Sequence, residues 1–187
     1  MKDFLEPVVC EKIVSEMSAI QGRSSVVYGS SQSGVVNETT RSSLRLTPST
    51  ETVELIVGRL MACMNEVAQR FAVKLNQCED PQFLRYQKGD FFVAHQDGNT
   101  GMLRLDTESR LVSTVIFLGR EVDSAPRDDD ASNVYCGGSL VFTNPHGAKF
   151  HARAEPGTLI AFRSETTHEV TPLTHGERYS IVSWYRR

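Results

Sequence analysis

The chain has 187 residues, of which 40% are hydrophobic and 23% are charged, with 20 Lys and Arg against 23 Asp and Glu. Its net charge of −3 offers no basic surface for nucleic acid. No apolar run reaches the ~18 residues of a membrane-spanning helix, so no membrane partner is expected. Four scattered cysteines, and an N-terminus that lacks the apolar core of a signal peptide, predict a reduced, cytoplasmic protein.

Two amphipathic helices are predicted in the first 76 residues. The segment from Pro7 to Ile20 carries apolar residues at helical intervals, with proline in its first turn. A Thr-Pro-Ser cap at 47–49 precedes a second helix, whose apolar positions recur every three or four residues from Val53 to Phe71. Such stripes must be buried, most simply against a sheet.

After Gln77 the sequence changes to short apolar runs separated by turn residues, which is typical of a sandwich, barrel or jelly roll. The predicted strands are Phe83–Gln87, Phe91–Asp97, Leu111–Leu118, Ser139–Thr143, Thr158–Arg163, Glu169–Thr171 and Arg178–Trp184. We therefore predict one domain over 1–187, in which helical support over about 1–76 braces a β-core over about 77–187.

One insertion, from Gly119 to Gly138, is acidic and has few apolar residues. It is interpreted either as a solvated turn or as a lid over a site. The Gly- and Ser-rich stretch from Arg23 to Thr40 is likewise predicted to be a loop.

The histidines indicate a metal site. His95 and Asp97 are two positions apart at the end of a β-like run, so a strand would point both side chains to one face. A second such pair, His175 and Glu177, lies in a Gly-containing turn, which favours a surface position. His168 follows a predicted strand and is the candidate third ligand. Two imidazoles and one carboxylate form the facial set of non-heme Fe(II) oxygenases, whose open positions can hold a 2-oxo acid and O2.

The last predicted strand begins at Arg178, ten residues after His168. Arg178, Ser180 and Trp184 share one face of that strand by its two-residue period. They would place an arginine fork, a hydroxyl donor and an aromatic wall in one row. An arginine fork is the natural partner of a distal carboxylate, so Arg178 and Ser180 are candidate cosubstrate ligands.

These segments resemble the prolyl 4-hydroxylase group of the Fe(II)/2-oxoglutarate dioxygenases over about residues 82–187. The resemblance implies a mainly β fold with flanking N-terminal helices, the double-stranded β-helix or jelly roll. The segments that carry it are Leu84–Asp97, Gly137–Phe142, Pro156–Phe162, His168–Pro172 and Gly176–Trp184, with a weaker match at Thr40–Ser43.

The resemblance also implies the cofactor sites. His95, Asp97 and His168 match the iron ligands of the group. Arg178 matches the residue that binds the 2-oxoglutarate C5 carboxylate, and Tyr86 matches a tyrosine that hydrogen-bonds the same carboxylate. Fe(II), 2-oxoglutarate and O2 are therefore the expected cofactors, with ascorbate in support.

For the substrate, Arg110 and Trp184 match positions that contact the prolyl segment in this group. The resemblance implies hydroxylation of a prolyl residue in a protein or peptide, giving succinate and CO2, with the two loops closing over the peptide. Two alternatives remain open. One is a hydroxylase of a free amino acid or small metabolite, and the other is a cupin-like metal-binding module that performs no oxygenation.

Overall fold

The computed structural model describes residues 1–24, 40–98, 109–125, 133–153 and 155–187. Its helices are α1 (Pro7–Ser18) and α2 (Thr50–Phe71). Its strands are β1 (Arg23–Ser24), β2 (Arg41–Ser42), β3 (Leu44–Leu46), β4 (Gln77–Cys78), β5 (Gln82–Tyr86), β6 (Phe91–His95), β7 (Arg110–Phe117), β8 (Arg120–Val122), β9 (Val134–Gly137), β10 (Leu140–Thr143), β11 (Lys149–Ala152), β12 (Leu159–Arg163), β13 (Thr167–Val170), β14 (Leu173–His175) and β15 (Arg178–Arg186).

Both helices begin where the sequence signals predict. Pro7 occupies the first turn of α1, and the Ser49 hydroxyl caps α2 by accepting from the Thr52 backbone N–H at 3.3 Å. Helix α2 ends at Phe71, and its C-cap Ala72 takes a left-handed conformation. Neither helix in the described part of the chain has the length and apolar character needed to cross a membrane.

The strands of the described residues form three sheets. A seven-stranded sheet has the order β1-β3-β5-β15-β7-β12, with β4 also paired to β15, and a five-stranded sheet has the order β11-β10-β13-β6-β2. The two sheets face each other, because Val115 and Phe162 of the first pack with Leu140 and Ala152 of the second. The predicted class, mainly β with helices in the N-terminal part, is confirmed.

Strand β15 divides the core between its two faces. Tyr179, Ile181 and Tyr185 join the hydrophobic cluster that the helices cover. The alternate residues face the other sheet and line a cavity; they are Arg178, Ser180, Val182 and Trp184. This is the alternation that the sequence predicts for the last strand.

The acidic insertion differs from its prediction. The acidic insertion contains β8 and β9, which pair in parallel, and β9 also pairs with β14. The interpretation as a solvated turn is therefore wrong for β8 and β9. Residues 126–132 of this insertion and 25–39 of the Gly- and Ser-rich stretch lie outside the described residues, so their closure over a substrate stays a prediction.

Gly157 ties the N-terminal segment to the sheets. Its backbone donates to the Phe117 carbonyl at 2.8 Å and accepts from the Leu5 N–H at 3.1 Å. Its φ is +81°, and a Cβ at this position would lie 2.0 Å from the Leu5 carbonyl oxygen.

We expect Gly157→Ala to destabilise the fold by more than Gly89→Ala. At Gly89, φ is +91° and a Cβ would meet nothing within 4 Å, so this control carries only the conformational cost of about 1–3 kcal/mol. The clash with Leu5 adds to that cost at Gly157. Urea unfolding of both variants measures the difference, and equal losses of stability would contradict the close approach.

Candidate metal centre

Three side chains that line the cavity lie close together. His95 ends β6, and His168 lies directly opposite it on β13 in the antiparallel ladder. Asp97 lies two residues beyond β6, where its backbone N–H donates to the Ser164 carbonyl at 2.9 Å. The Asp97 carboxylate oxygens lie 3.5 Å from His95 Nε2 and 3.6 Å from His168 Nε2. One candidate ligand atom of each residue lies within 4.8 Å of those of the other two. The fold therefore brings the three predicted ligands together.

Backbone carbonyls set the tautomer of both imidazoles. His95 Nδ1 lies 2.8 Å from the Val93 carbonyl oxygen, and His168 Nδ1 lies 2.9 Å from that of Thr166. Since a carbonyl can only accept, each Nδ1 carries the proton and donates it. Each Nε2 then presents its lone pair toward Asp97, which is the arrangement of metal-binding histidines.

Phenylalanine rings enclose the imidazoles. Phe92 stacks on His95 with centroids 3.6 Å apart, and Phe162 meets His168 edge-on at 4.7 Å. These contacts restrict the rotation of both ligands. They also keep the buried side of the site apolar, which strengthens electrostatic interactions there.

The protonation states also suit a cation. Burial lowers the pKa of His168 to about 4, although the Asp97 carboxylate opposes that shift. Burial would raise the pKa of Asp97, but His168, His95 and a hydrogen bond from Trp184 together hold it below its ordinary value. Near neutral pH the site therefore offers neutral His168 and an ionised carboxylate.

Arg178 lines the same cavity. It is 2% exposed, and its Nη1 donates to the Ser180 hydroxyl at 2.9 Å. Its Nε has no hydrogen-bond partner among the described residues. The guanidinium carbon lies 5.1 Å from the Tyr86 ring centroid and 5.4 Å from that of Phe117. Burying a cation with an unused hydrogen-bond donor destabilises the folded protein unless an anion pairs with it.

Tyr135 of β9 is a neighbour of Arg178 that the sequence reasoning missed. Burial raises the pKa of the Tyr135 phenol, while the charge of Arg178 and a hydrogen bond from it oppose that shift. The short run Val134–Cys136 could have been interpreted as a strand, but the surrounding acids favoured a loop.

Arg41 of β2 is a second arginine that lines the cavity. It is 9% exposed, its Nε donates to Ser43 Oγ at 2.9 Å, and its guanidinium lies 4.7 Å from the Phe92 centroid. No ion pair between described residues includes Arg41 or Arg178. Only the weak match at Thr40–Ser43 pointed to this strand from the sequence.

The two candidate substrate residues lie in contact with each other. The Arg110 guanidinium carbon is 3.9 Å from the Trp184 ring centroid. Arg110 also binds Glu79 through two hydrogen bonds, from Nε at 2.5 Å and from Nη2 at 2.6 Å. Trp184 lines the cavity, whereas Arg110 is not among its lining residues, so contact of Arg110 with a substrate stays a prediction.

The residues fit the cofactors that the resemblance implies. Two imidazole Nε2 atoms and one carboxylate suit a divalent iron ion. The unused donor of buried Arg178 suits the distal carboxylate of a dicarboxylic 2-oxo acid.

Sequence comparison agrees with this fit. Residues 81–186 match the 2OG-Fe(II) oxygenase superfamily. A PKHD-type hydroxylase of Shewanella oneidensis is 33% identical over 136 residues, which cover 70% of this chain and 52% of that protein. A PKHD-type hydroxylase of Burkholderia ambifaria is 33% identical over 110 residues, which cover 58% of this chain and 43% of that protein. The chain thus spans about half the length of these relatives.

Solved structures share the fold. A Pseudomonas putida prolyl-4-hydroxylase superposes with a TM-score of 0.70 at 22% identity, covering 100% of this chain and 90% of that one. A prolyl hydroxylase from Trichoplax adhaerens, solved with a hypoxia inducible factor oxygen degradation domain peptide fragment, gives a TM-score of 0.69 at 17% identity, covering 100% and 81%. These likenesses confirm the predicted jelly roll.

Proposed function

Since the chain belongs to the 2OG-Fe(II) oxygenase superfamily, we propose that it is an Fe(II)- and 2-oxoglutarate-dependent hydroxylase of prolyl residues in a protein or peptide. The observation that carries this proposal is one cavity lined by the cluster of His95, Asp97 and His168 and also by Arg178. The balanced reaction combines O2, 2-oxoglutarate and a substrate C–H group into an alcohol, succinate and CO2. Fe(II) and 2-oxoglutarate, when bound, would supply the oxidising chemistry.

The chain's own residues then have defined tasks. The two imidazoles and the Asp97 carboxylate would hold the metal. Arg178, oriented by Ser180, holds the far carboxylate of the 2-oxo acid, and Tyr86 lies beside it. The phenylalanines around both histidines exclude water from the reacting centre.

A prolyl substrate is supported by the relatives and by the cavity wall. Both fold neighbours named above are prolyl hydroxylases, and one was solved with a peptide. Trp184 lines the cavity near the metal ligands and offers an apolar surface for a prolyl ring. The complete ligand set with Arg178 argues against a metal-binding module that performs no oxygenation.

Incubation of proline-containing peptides with the protein, Fe(II), ascorbate and 2-oxoglutarate tests the proposal. We expect mass spectrometry to show the gain of one oxygen on proline, with succinate formed in equal amount. Peptides with alanine in place of proline, and the His168→Ala protein, are the controls. Oxygen gained equally on the alanine peptide would contradict prolyl hydroxylation.

Hydroxylation of a free amino acid or small metabolite is the second candidate, and Arg41 favours it. This arginine lines the cavity, is nearly buried and takes part in no ion pair of the described residues. A substrate carboxylate would compensate its charge, whereas an internal peptide residue brings only neutral amides.

If a carboxylate binds Arg41, we expect Arg41→Gln to raise the KM for free L-proline and to leave the KM for 2-oxoglutarate unchanged. A lost charge-assisted hydrogen bond contributes ~1.5–3 kcal/mol, or roughly a ten- to hundredfold change. Arg45→Gln, at an exposed position of β3, is the matched control. Steady-state kinetics with free proline and with a peptide measure both constants. An unchanged KM for free proline in Arg41→Gln would remove the support for this candidate.

A further inference from the structure

Glu79 joins two arginines, one of which contacts the backbone of Asp97. It lies between β4 and β5, and its carboxylate accepts from Arg110 through both oxygens and from Arg186 Nε at 2.6 Å. The side chains are poorly exposed, at 15% for Arg110, 17% for Glu79 and 20% for Arg186. A bidentate guanidinium–carboxylate pair of this kind fixes orientation as well as charge.

The backbone of Glu79 is held equally firmly. Its N–H donates to the Trp184 carbonyl at 2.8 Å, and its carbonyl accepts from the Ser183 hydroxyl at 2.7 Å. Glu79 is therefore anchored to β15 beside the residue that lines the cavity. The carboxylate provides a fixed point for Arg110.

Arg110, bound to Glu79, is connected to the metal ligand Asp97 in two ways. Its Nη1 donates to the backbone carbonyl of Asp97 at 3.3 Å. Its guanidinium stacks on the Trp184 ring at 3.9 Å. Trp184 lines the same cavity as Asp97, and a hydrogen bond from its side chain helps to lower the pKa of the Asp97 carboxyl. The backbone and the carboxylate of Asp97 are thus both restrained from the same arginine.

We propose that Glu79 and Arg110 form a positioning pair that holds Asp97 in its metal-binding orientation, through the Asp97 carbonyl and the Trp184 ring. The inference rests on the metal site of the proposed function and adds residues that contact neither metal nor cosubstrate. Residues that orient metal ligands in this way typically change metal affinity 10–100-fold when they are replaced.

The resemblance implies a different role for Arg110, contact with the prolyl substrate, and the two roles have different consequences. A substrate contact changes the KM for the peptide and leaves metal affinity alone. A positioning residue changes metal affinity in the absence of both substrate and 2-oxoglutarate.

The test is the affinity of the protein for Mn(II), measured by electron paramagnetic resonance without substrate or 2-oxoglutarate. We expect the dissociation constant to rise roughly tenfold in Arg110→Gln and in Glu79→Gln. Arg110→Lys should recover part of the loss, because a lysine keeps the charge but loses the planar stacked fork. Arg186→Gln is the matched control, since Arg186 binds the same carboxylate with no described contact to Asp97; it should change the constant by less than about threefold, below the range typical of residues that orient metal ligands.

Trp184→Phe supplies a second variant in case Arg110→Gln folds poorly, because it keeps a ring for stacking and removes the indole donor. It should also weaken Mn(II) binding. Wild-type affinity in both Arg110→Gln and Trp184→Phe, or an equal loss in Arg186→Gln and Arg110→Gln, would overturn the positioning pair. The wild-type protein could bind Mn(II), and the variants could weaken that binding as expected, while no substrate is hydroxylated. That result would refute only the proposed function.

Discussion

Replacement of His95, Asp97 or His168 by alanine should abolish Fe(II)-dependent 2-oxoglutarate turnover, even without a prime substrate. The three ligand atoms lie within 4.8 Å of one another, and both histidine Nδ1 atoms are hydrogen-bonded to backbone carbonyl oxygens. Each alanine variant therefore retains two ligands, and the described cluster contains no other side chain that could replace the third. Succinate release and Mn(II) binding should be lost together.

His151→Ala and His175→Ala are the controls for this prediction. Both residues are exposed, on β11 and β14, and neither belongs to the cluster around Asp97. Both variants should keep turnover close to wild type. Turnover that survives in His168→Ala but is lost in His175→Ala would show that the third ligand has been assigned to the wrong histidine.

The sequence predicts this centre well because its parts obey local rules. The two-residue period of a strand places Arg178, Ser180 and Trp184 on one face, and the structure keeps them there. His95 and Asp97 also converge as predicted. Asp97, however, lies beyond the end of β6 and is held by a backbone hydrogen bond to Ser164 rather than by strand pairing.

Residues from distant segments were not predictable in this way. Glu79 and Arg110 meet because β4 and β7 both pair with β15, and no spacing in a single sequence reveals that neighbourhood. Tyr135 was hidden by its acidic surroundings, which resemble a solvated loop. Arg41 stands on a two-residue strand, which is too short to show a period.

Arg178 shows how the fold and the function compete for one residue. Its burial with an unpartnered Nε destabilises the folded protein until an anion binds. A cosubstrate carboxylate would relieve that cost, so binding and stability should be linked through this side chain. Replacing Arg178 by an apolar residue should therefore weaken cosubstrate binding without lowering the stability of the ligand-free protein.

We expect Arg178→Met to raise the KM for 2-oxoglutarate by roughly ten- to a hundredfold or more, since a charge-assisted hydrogen bond contributes ~1.5–3 kcal/mol. Arg178→Lys should weaken binding less, because a point charge replaces a planar fork, and Tyr86→Phe should weaken it mildly.

Ligand-free Arg178→Met should unfold at the same temperature as wild type or higher, and 2-oxoglutarate should no longer raise that temperature. Arg120→Ala, at an exposed position of β8, is the control and should change neither property. An unchanged KM for 2-oxoglutarate in Arg178→Met would contradict the carboxylate site, because no other residue of this cavity combines such burial with an unused guanidinium donor in the described part of the chain.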